Sequence, residues 1–208
     1  GLFEAAAFMM GWLATIPLAA HNSALQLASI TFMVHLGLSN VATIRAGNAY
    51  GRGDLDHMLR GARTVIVMSL AMALATILLF IALPEPLISL FMERDEPARA
   101  QILEIGIVLL ALAALFQLVD GSQVIALGLL RGVQDSKVPM VLAAVSYWLV
   151  GMPASYVLGF VLGWQGVGVW LGLVFGLACA GVALMIRFWS VSVPRLRGPV
   201  GSGAVPAP

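Results

Sequence analysis

Charged residues are scarce in this chain. Asp, Glu, Lys and Arg make up 10% of its 208 residues while 61% are hydrophobic, whereas a soluble domain carries about 25% charged residues. So few charges cannot cover a water-facing surface, and the mean hydropathy of +0.99 places the chain in a membrane. Eleven basic residues against ten acidic ones form no basic cluster on a solvated face, so nothing in the charge pattern calls for nucleic acid. Cysteine is nearly absent: Cys179 is single, cannot form an internal disulfide, and reads by default as a small core residue. A P-loop, a zinc-ligand spacing, a serine nucleophile elbow and a dinucleotide fingerprint are also missing, so neither an enzyme site of the soluble kind nor a cofactor is expected. His21 has no ligand set close in sequence, His35 stands alone and His57 belongs to a polar turn, so no metal site is expected at the histidines.

What the chain does have is long apolar helical runs. Breakers and charges divide residues 1–190 into six segments, at about 1–16, 18–49, 59–83, 100–130, 139–162 and 167–189. The polar turns between them include "YGRGDLDH", "RGVQDSKVP" and "GWQG". In "PEPLISLFMERDEPAR" prolines and mixed charges rule out a span, and "LISLF" reads as a short interfacial helix. Residues 191–208 have the Pro/Gly composition of a disordered tail. Apolar all round, the segments suit lipid, and helices satisfy their own backbone groups there. The expected fold class is all-α, a polytopic membrane protein with a six-transmembrane-helix bundle. The first segment meets Pro17 before the roughly 20 residues a span requires, so the chain is expected to begin inside a helix of a longer protein. It shows no signal-peptide pattern.

Six alternating spans put Arg45, Arg52, Arg60, Arg63, Arg131, Lys137, Arg187, Arg195 and Arg197 on one side. Arg94 and Arg99 fall on the other, where Glu85, Glu93, Asp95, Glu96 and Glu104 outnumber them. The positive-inside rule makes the first side cytoplasmic, in an inner (plasma) membrane, with both ends of the bundle inside. Small residues at four-residue spacing, Gly168, Gly172 and Gly176 and again Gly47 and Gly51, permit close helix approach. Gly151 and Pro153 mark a bending point in the fifth segment.

Two acids stand well inside spans, Glu4 and Asp120. A carboxylate at the bilayer centre costs about 3 kcal/mol on insertion scales, so such residues face a cavity or a partner and mark routes for ions, protons or substrates. Burial disfavours the charged form and a bound cation favours it, so a carboxyl of this kind can exchange a proton for a cation. For Asp120 the alternative is a structural bond between helices, with Gln117, Ser122 and Gln123 as local company. Asn22 and Gln26, four apart on one face, suit cavity lining and packing equally, beside His21 and Ser23. Aromatic and Met residues such as Phe8, Phe32, Phe116 and Trp148 are core or lipid-facing by default, and some could line a pocket for flat organic cations.

The charged turns carry a resemblance. "AAHNSALQLASITFMVHLGLSNVATIRAGNAYGRGD", residues 19–54, is similar to the eighth helix and following turn of the multidrug and toxic compound extrusion (MATE) family. "LFMERDEPARA" resembles that family's loop before the tenth helix, and "LFQLVDGSQVIALGLLRGVQDSKVP" the tenth helix and its exit. The likeness runs to about Trp189. It implies the C-terminal six-helix lobe of a twelve-helix transporter whose N-terminal lobe is the missing partner. It also implies a small-molecule amphipathic or cationic substrate, a lipid bilayer around the protein, and a proton or sodium as coupling ion. Glu4 and Asp120 match the family's coupling and drug-binding acids, with Phe116, Gln123, Asn22 and Gln26 as candidate lining. Any sodium would sit at Glu4 and Asp120. One turn before Asp120 some members carry Tyr; Phe116 offers no hydroxyl there.

The leading expectation is therefore a cation-coupled antiporter exporting such compounds by alternating access. A lipid-linked oligosaccharide flippase of the same superfamily is the runner-up, disfavoured because no Lys or Arg stands deep in a span to meet a pyrophosphate. A non-transporting structural membrane subunit is the third reading.

Overall fold

The computed structural model describes residues 5–9, 15–91 and 97–197. Among them every regular element is helical and none is a strand, as expected of backbone that must satisfy itself in lipid. In chain order these are α1 (Thr15–Gly51), α2 (Leu55–Ala82), the short α3 (Pro84–Ser89), α4 (Arg99–Gly132), α5 (Lys137–Val161), α6 (Gln165–Arg187) and α7 (Val193–Arg197). Five are long and apolar enough to cross a membrane: α1, α2, α4, α5 and α6 with its continuation. Of the first expected segment, residues 5–9 are helical. Thr15, placed at that segment's end by the sequence, already belongs to α1.

Local chemistry explains the turns. Gly53 takes φ +67, where a side chain would be strained, and the backbone N–H of Asp54 then bonds Ala49 O at 3.0 Å. The Asp54 carboxylate accepts from the His57 backbone N–H at 2.9 Å and caps α2. The short helix begins at Pro84 rather than in "LISLF", because a proline at the first helical position loses no needed donor. In α5, regular helix over Lys137–Val145 gives way to a widened turn at Ser146–Gly151. Pro153 follows at once; it cannot donate to the carbonyl one turn back, and the extra width relieves that mismatch. Widened turns recur at Val157–Val161, the end of α5, and at Phe188–Ser192, which joins α6 to α7. Residues 191–197, expected in a disordered tail, are thus helical; 198–208 lie outside the described residues.

At a rise of 1.5 Å per residue the 34 residues of α4 run about 51 Å, well beyond a hydrocarbon core of about 30 Å. This helix is the centre of the bundle, packed most extensively on α1, then on α6 and α2. Glycines bring the backbones together. A Cβ at Gly128 would stand 2.5 Å from Ser39 O, and one at Gly132 2.6 Å from the Ala46 Cβ. Hydroxyls reinforce the same seam, with Ser39 donating to Val124 O at 2.8 Å and Thr43 to Gly128 O at 2.9 Å.

Gly168, Gly172 and Gly176 all face α5, where a Cβ would meet the backbones of Leu158, Ser155 and Gly151. Ser155 also donates to Val169 O at 3.0 Å. Gly47 abuts Gly132 O, but Gly51, expected to share its role, faces open space. Cys179 is exposed rather than core, and Leu78 of α2 is 68% exposed, as lipid-facing positions are.

This packing makes two glycines unequal. Gly172→Ala drives a methyl into the Ser155 backbone and is expected to destabilise the full-length protein by about 1–3 kcal/mol, seen as a lower melting temperature in detergent. Gly51→Ala should leave the melting temperature unchanged or slightly raised; equal melting of the two variants would contradict the seam.

Candidate functional site

The seam fixes which side of α4 touches α1 and leaves a second stripe of the helix facing a cavity. Phe116, Asp120, Gln123, Leu127 and Arg131 follow one another at three- and four-residue steps, so one face of α4 carries them, with Val124 beside Gln123 at its edge. They line a cavity of about 600 Å³. Its opposite wall is α1, with Leu25, Ala28, Ser29, Phe32, Leu36 and Ser39; Tyr147 and Trp148 of α5 and Leu177 of α6 complete it. Such a volume suits a small organic molecule.

Asp120 is 5% exposed. Among the described residues it makes no hydrogen bond or ion pair, so the expected alternative of a structural bond between helices is not what is seen. Its sequence neighbours are occupied elsewhere. Gln117 donates from Nε2 to Ala28 O at 3.0 Å and ties α4 to α1, while Ser122 bonds within its own helix to Leu118 O at 2.8 Å. Gln123 turns to the cavity. Tyr147, which sequence reading did not single out, lines the cavity together with Asp120 and Gln123. A tyrosine, absent at position 116, is thus contributed to the cavity lining by another helix.

Of the other residues predicted for the site, Phe116 and Gln123 line the cavity with Asp120. Asn22 and Gln26 do not; both are exposed on α1. Glu4 lies outside the described residues. Their neighbour His21 is fully buried and accepts a hydrogen bond from Trp170 Nε1 at 3.0 Å. Trp170 in turn meets Phe116 edge-to-face, with ring centroids 6.0 Å apart. Among the described residues no group of three His, Cys, Asp or Glu side chains converges as a metal site.

The second acid of the tenth-helix motif behaves differently. Asp135, in the polar turn with Arg131 and Lys137, pairs with Arg187. Arg187 Nε reaches Oδ2 at 2.8 Å and its terminal nitrogen reaches Oδ1 at 3.0 Å, while the Ser192 hydroxyl donates to Oδ2 at 3.2 Å. The two side chains are 18% and 19% exposed, so this forked pair pins the end of α6 and the widened turn after it to the α4–α5 turn.

Comparison with known proteins adds a family. The model of the MatE family matches residues 1–157. The chain is 44% identical over 187 residues to the probable multidrug resistance protein NorM of Agrobacterium fabrum, covering 90% of this chain and 40% of that protein. It is 45% identical over 202 residues to the NorM of Pseudomonas putida, covering 97% and 43%. The crystal structure of the eukaryotic MATE transporter AtDTX14 superposes with a TM-score of 0.80 at 17% identity, covering 94% of this chain and 44% of that one; at that identity the likeness is of fold. The chain thus spans about two-fifths of the length of the curated relatives it matches.

The two acids of α4 and its exit are expected to respond oppositely to neutralisation. Asp135→Asn removes the carboxylate from a forked, part-buried pair and should lower stability by about 2 kcal/mol. Asp120→Asn removes an unpartnered acid from apolar surroundings and should raise the melting temperature of the ligand-free protein. Thermal unfolding of both full-length variants in detergent checks this; a lower melting temperature for Asp120→Asn would reveal a partner for that carboxyl.

Proposed function

This chain belongs to the MatE family, and from that premise we propose that it is the C-terminal lobe of an antiporter, one that exports amphipathic or cationic organic compounds in exchange for a proton or a sodium ion. The observation that carries the reading is Asp120, a carboxyl with no hydrogen bond or ion pair among the described residues, on the wall of a cavity of about 600 Å³ lined mostly by apolar and aromatic side chains. An unpaired carboxylate in such a place is expensive. A proton, a metal cation or an organic cation each removes that expense, and no two need do so at once. Competition for one carboxyl is what an antiporter requires.

In this reading Glu4 joins Asp120 in coupling, and Tyr147 and Gln123, which share the cavity wall with Asp120, help to hold the ion. Phe116, Phe32 and Trp148 offer aromatic faces to an organic cation. Asn22 and Gln26, exposed on α1, would face the space between the lobes. The missing N-terminal lobe closes the other side, and the two rock about the cavity to open it alternately inward and outward. The basic residues at the α1–α2, α4–α5 and C-terminal ends face the cytoplasm, and α3 lies at the outer surface of the inner membrane.

Arg131, the basic residue on the cavity lining, stands at the end of α4. A pyrophosphate-bearing lipid would find no cation at depth, which favours efflux over lipid flipping. A purely structural subunit gives no reason to keep an unpartnered acid in a cavity wall.

The test is efflux of a fluorescent cation such as ethidium by the full-length protein in cells or proteoliposomes, with the proton and sodium gradients collapsed in turn. Asp120→Asn is expected to reduce gradient-driven efflux at least about tenfold, the scale of losing one charge-assisted contact, with one of the two gradients proving necessary. Full efflux by Asp120→Asn would end the proposal.

A further inference from the structure

The buried pair His21–Trp170 plays no part in that exchange, yet it sits behind the cavity wall. An indole N–H only donates, so at 3.0 Å from Trp170 Nε1 the His21 Nδ1 must accept, which puts the imidazole proton on Nε2. Both rings are fully buried, and they meet at 67° with centroids 5.6 Å apart. Trp170 also meets Phe116 at 74°, and Phe116 lines the cavity one turn before Asp120. The chain of contact thus crosses three helices, from α1 through α6 to α4, and ends on the aromatic face nearest the acid in sequence.

In hydrocarbon, an apolar ring at position 170 would pack as well as an indole without needing a partner for its N–H. What the hydrogen bond adds is direction, because it favours one orientation of the indole, whereas dispersion contacts tolerate several. An edge-to-face contact then passes that orientation to Phe116. We propose that His21 is a positioning residue: by accepting the Trp170 hydrogen bond it sets, through Trp170, the position of the Phe116 ring, and so the preference of the Asp120 cavity for flat aromatic cations. The selectivity consequence rests on the efflux reading; the positioning does not.

The test uses the full-length protein carrying 4-fluorophenylalanine, with the Phe116 fluorine signal identified by its loss in Phe116→Leu. His21→Leu removes the acceptor, Trp170→Phe removes the donor, and His21→Asn keeps an acceptor oxygen where Nδ1 stood. The Phe116 signal is expected to move in His21→Leu and in Trp170→Phe and to stay close to its native place in His21→Asn. In transport, His21→Leu should raise the half-saturating concentration of planar ethidium about fivefold, the loss of one ordinary hydrogen bond's worth of preference. The maximal rate should change little, and so should the half-saturating concentration of non-planar tetraphenylphosphonium.

A Phe116 signal that stays put in His21→Leu, or moves equally in His21→Leu and His21→Asn, would overturn the positioning role. Equal changes for the two cations would overturn the selectivity role. If the native protein transports neither cation the efflux reading falls, and the fluorine signal still decides whether His21 positions Phe116.

Discussion

Two apolar helices gain little by exchanging lipid for each other, because lipid tails are as apolar as leucine. What holds such helices together is contact close enough to add dispersion and to let polar groups bond across the gap. In this lobe that contact is the approach of α1 to α4. Gly128 and Gly132 admit the backbones of Ser39 and Thr43 and the side chain of Ala46, and the hydroxyls of Ser39 and Thr43 then reach carbonyls on α4. Higher up, His35 packs on Gly121, and Gln117 reaches Ala28 O. Side chains at those glycines would force the helices apart and break the bonds that depend on their closeness.

The cavity follows from that seam. A helix gripped along one stripe presents the neighbouring stripe at a determined angle, and on α4 that stripe runs from Phe116 through Asp120 to Arg131. Tyr147 and Trp148 can close the far wall because α5 lies against α6, with Gly168, Gly172 and Gly176 set into its backbone. The widened turn at Ser146–Gly151, just before Pro153, contains both of those aromatic residues. The proline that sequence reading took as a bending point thus bears on the site, through the turn that carries two of its rings. At the other end, the Asp135–Arg187 pair ties α6 to the exit of α4, so helices on two sides of the cavity share an anchor.

Much of this could be read in the amino acids. Asp120 stood out as an acid in an apolar run, and the long apolar runs announced a helical membrane protein. The glycines of α6 announced a close neighbour by their spacing alone. Other features escaped for identifiable reasons. Gly128 and Gly132 have the same four-residue spacing, but Gly132 falls in the polar turn "RGVQDSKVP" rather than in the expected span, and Gly121 lies seven residues before Gly128. Gly51 matched the repeat but lies past the point where α1 and α4 touch. Asp135 shares a turn with Arg131 and Lys137, whereas the partner it pairs with is 52 residues away. Tyr147 looked like one aromatic among many; a separation of 27 positions from Asp120 carries no signal of nearness.

By itself, then, the sequence determined that the chain crosses a membrane as helices, and that Asp120 is an acid needing a reason to be there. These are properties of composition and periodicity along one chain, and lipid acts on them one helix at a time. Only the tertiary structure decided which residues share the cavity with Asp120, which polar groups are spent holding helices together, and that His21 stands behind Phe116 through Trp170. Those facts depend on the angle and register at which helices meet. Side chains far apart in the chain set that register jointly, by the closeness their smallest members allow.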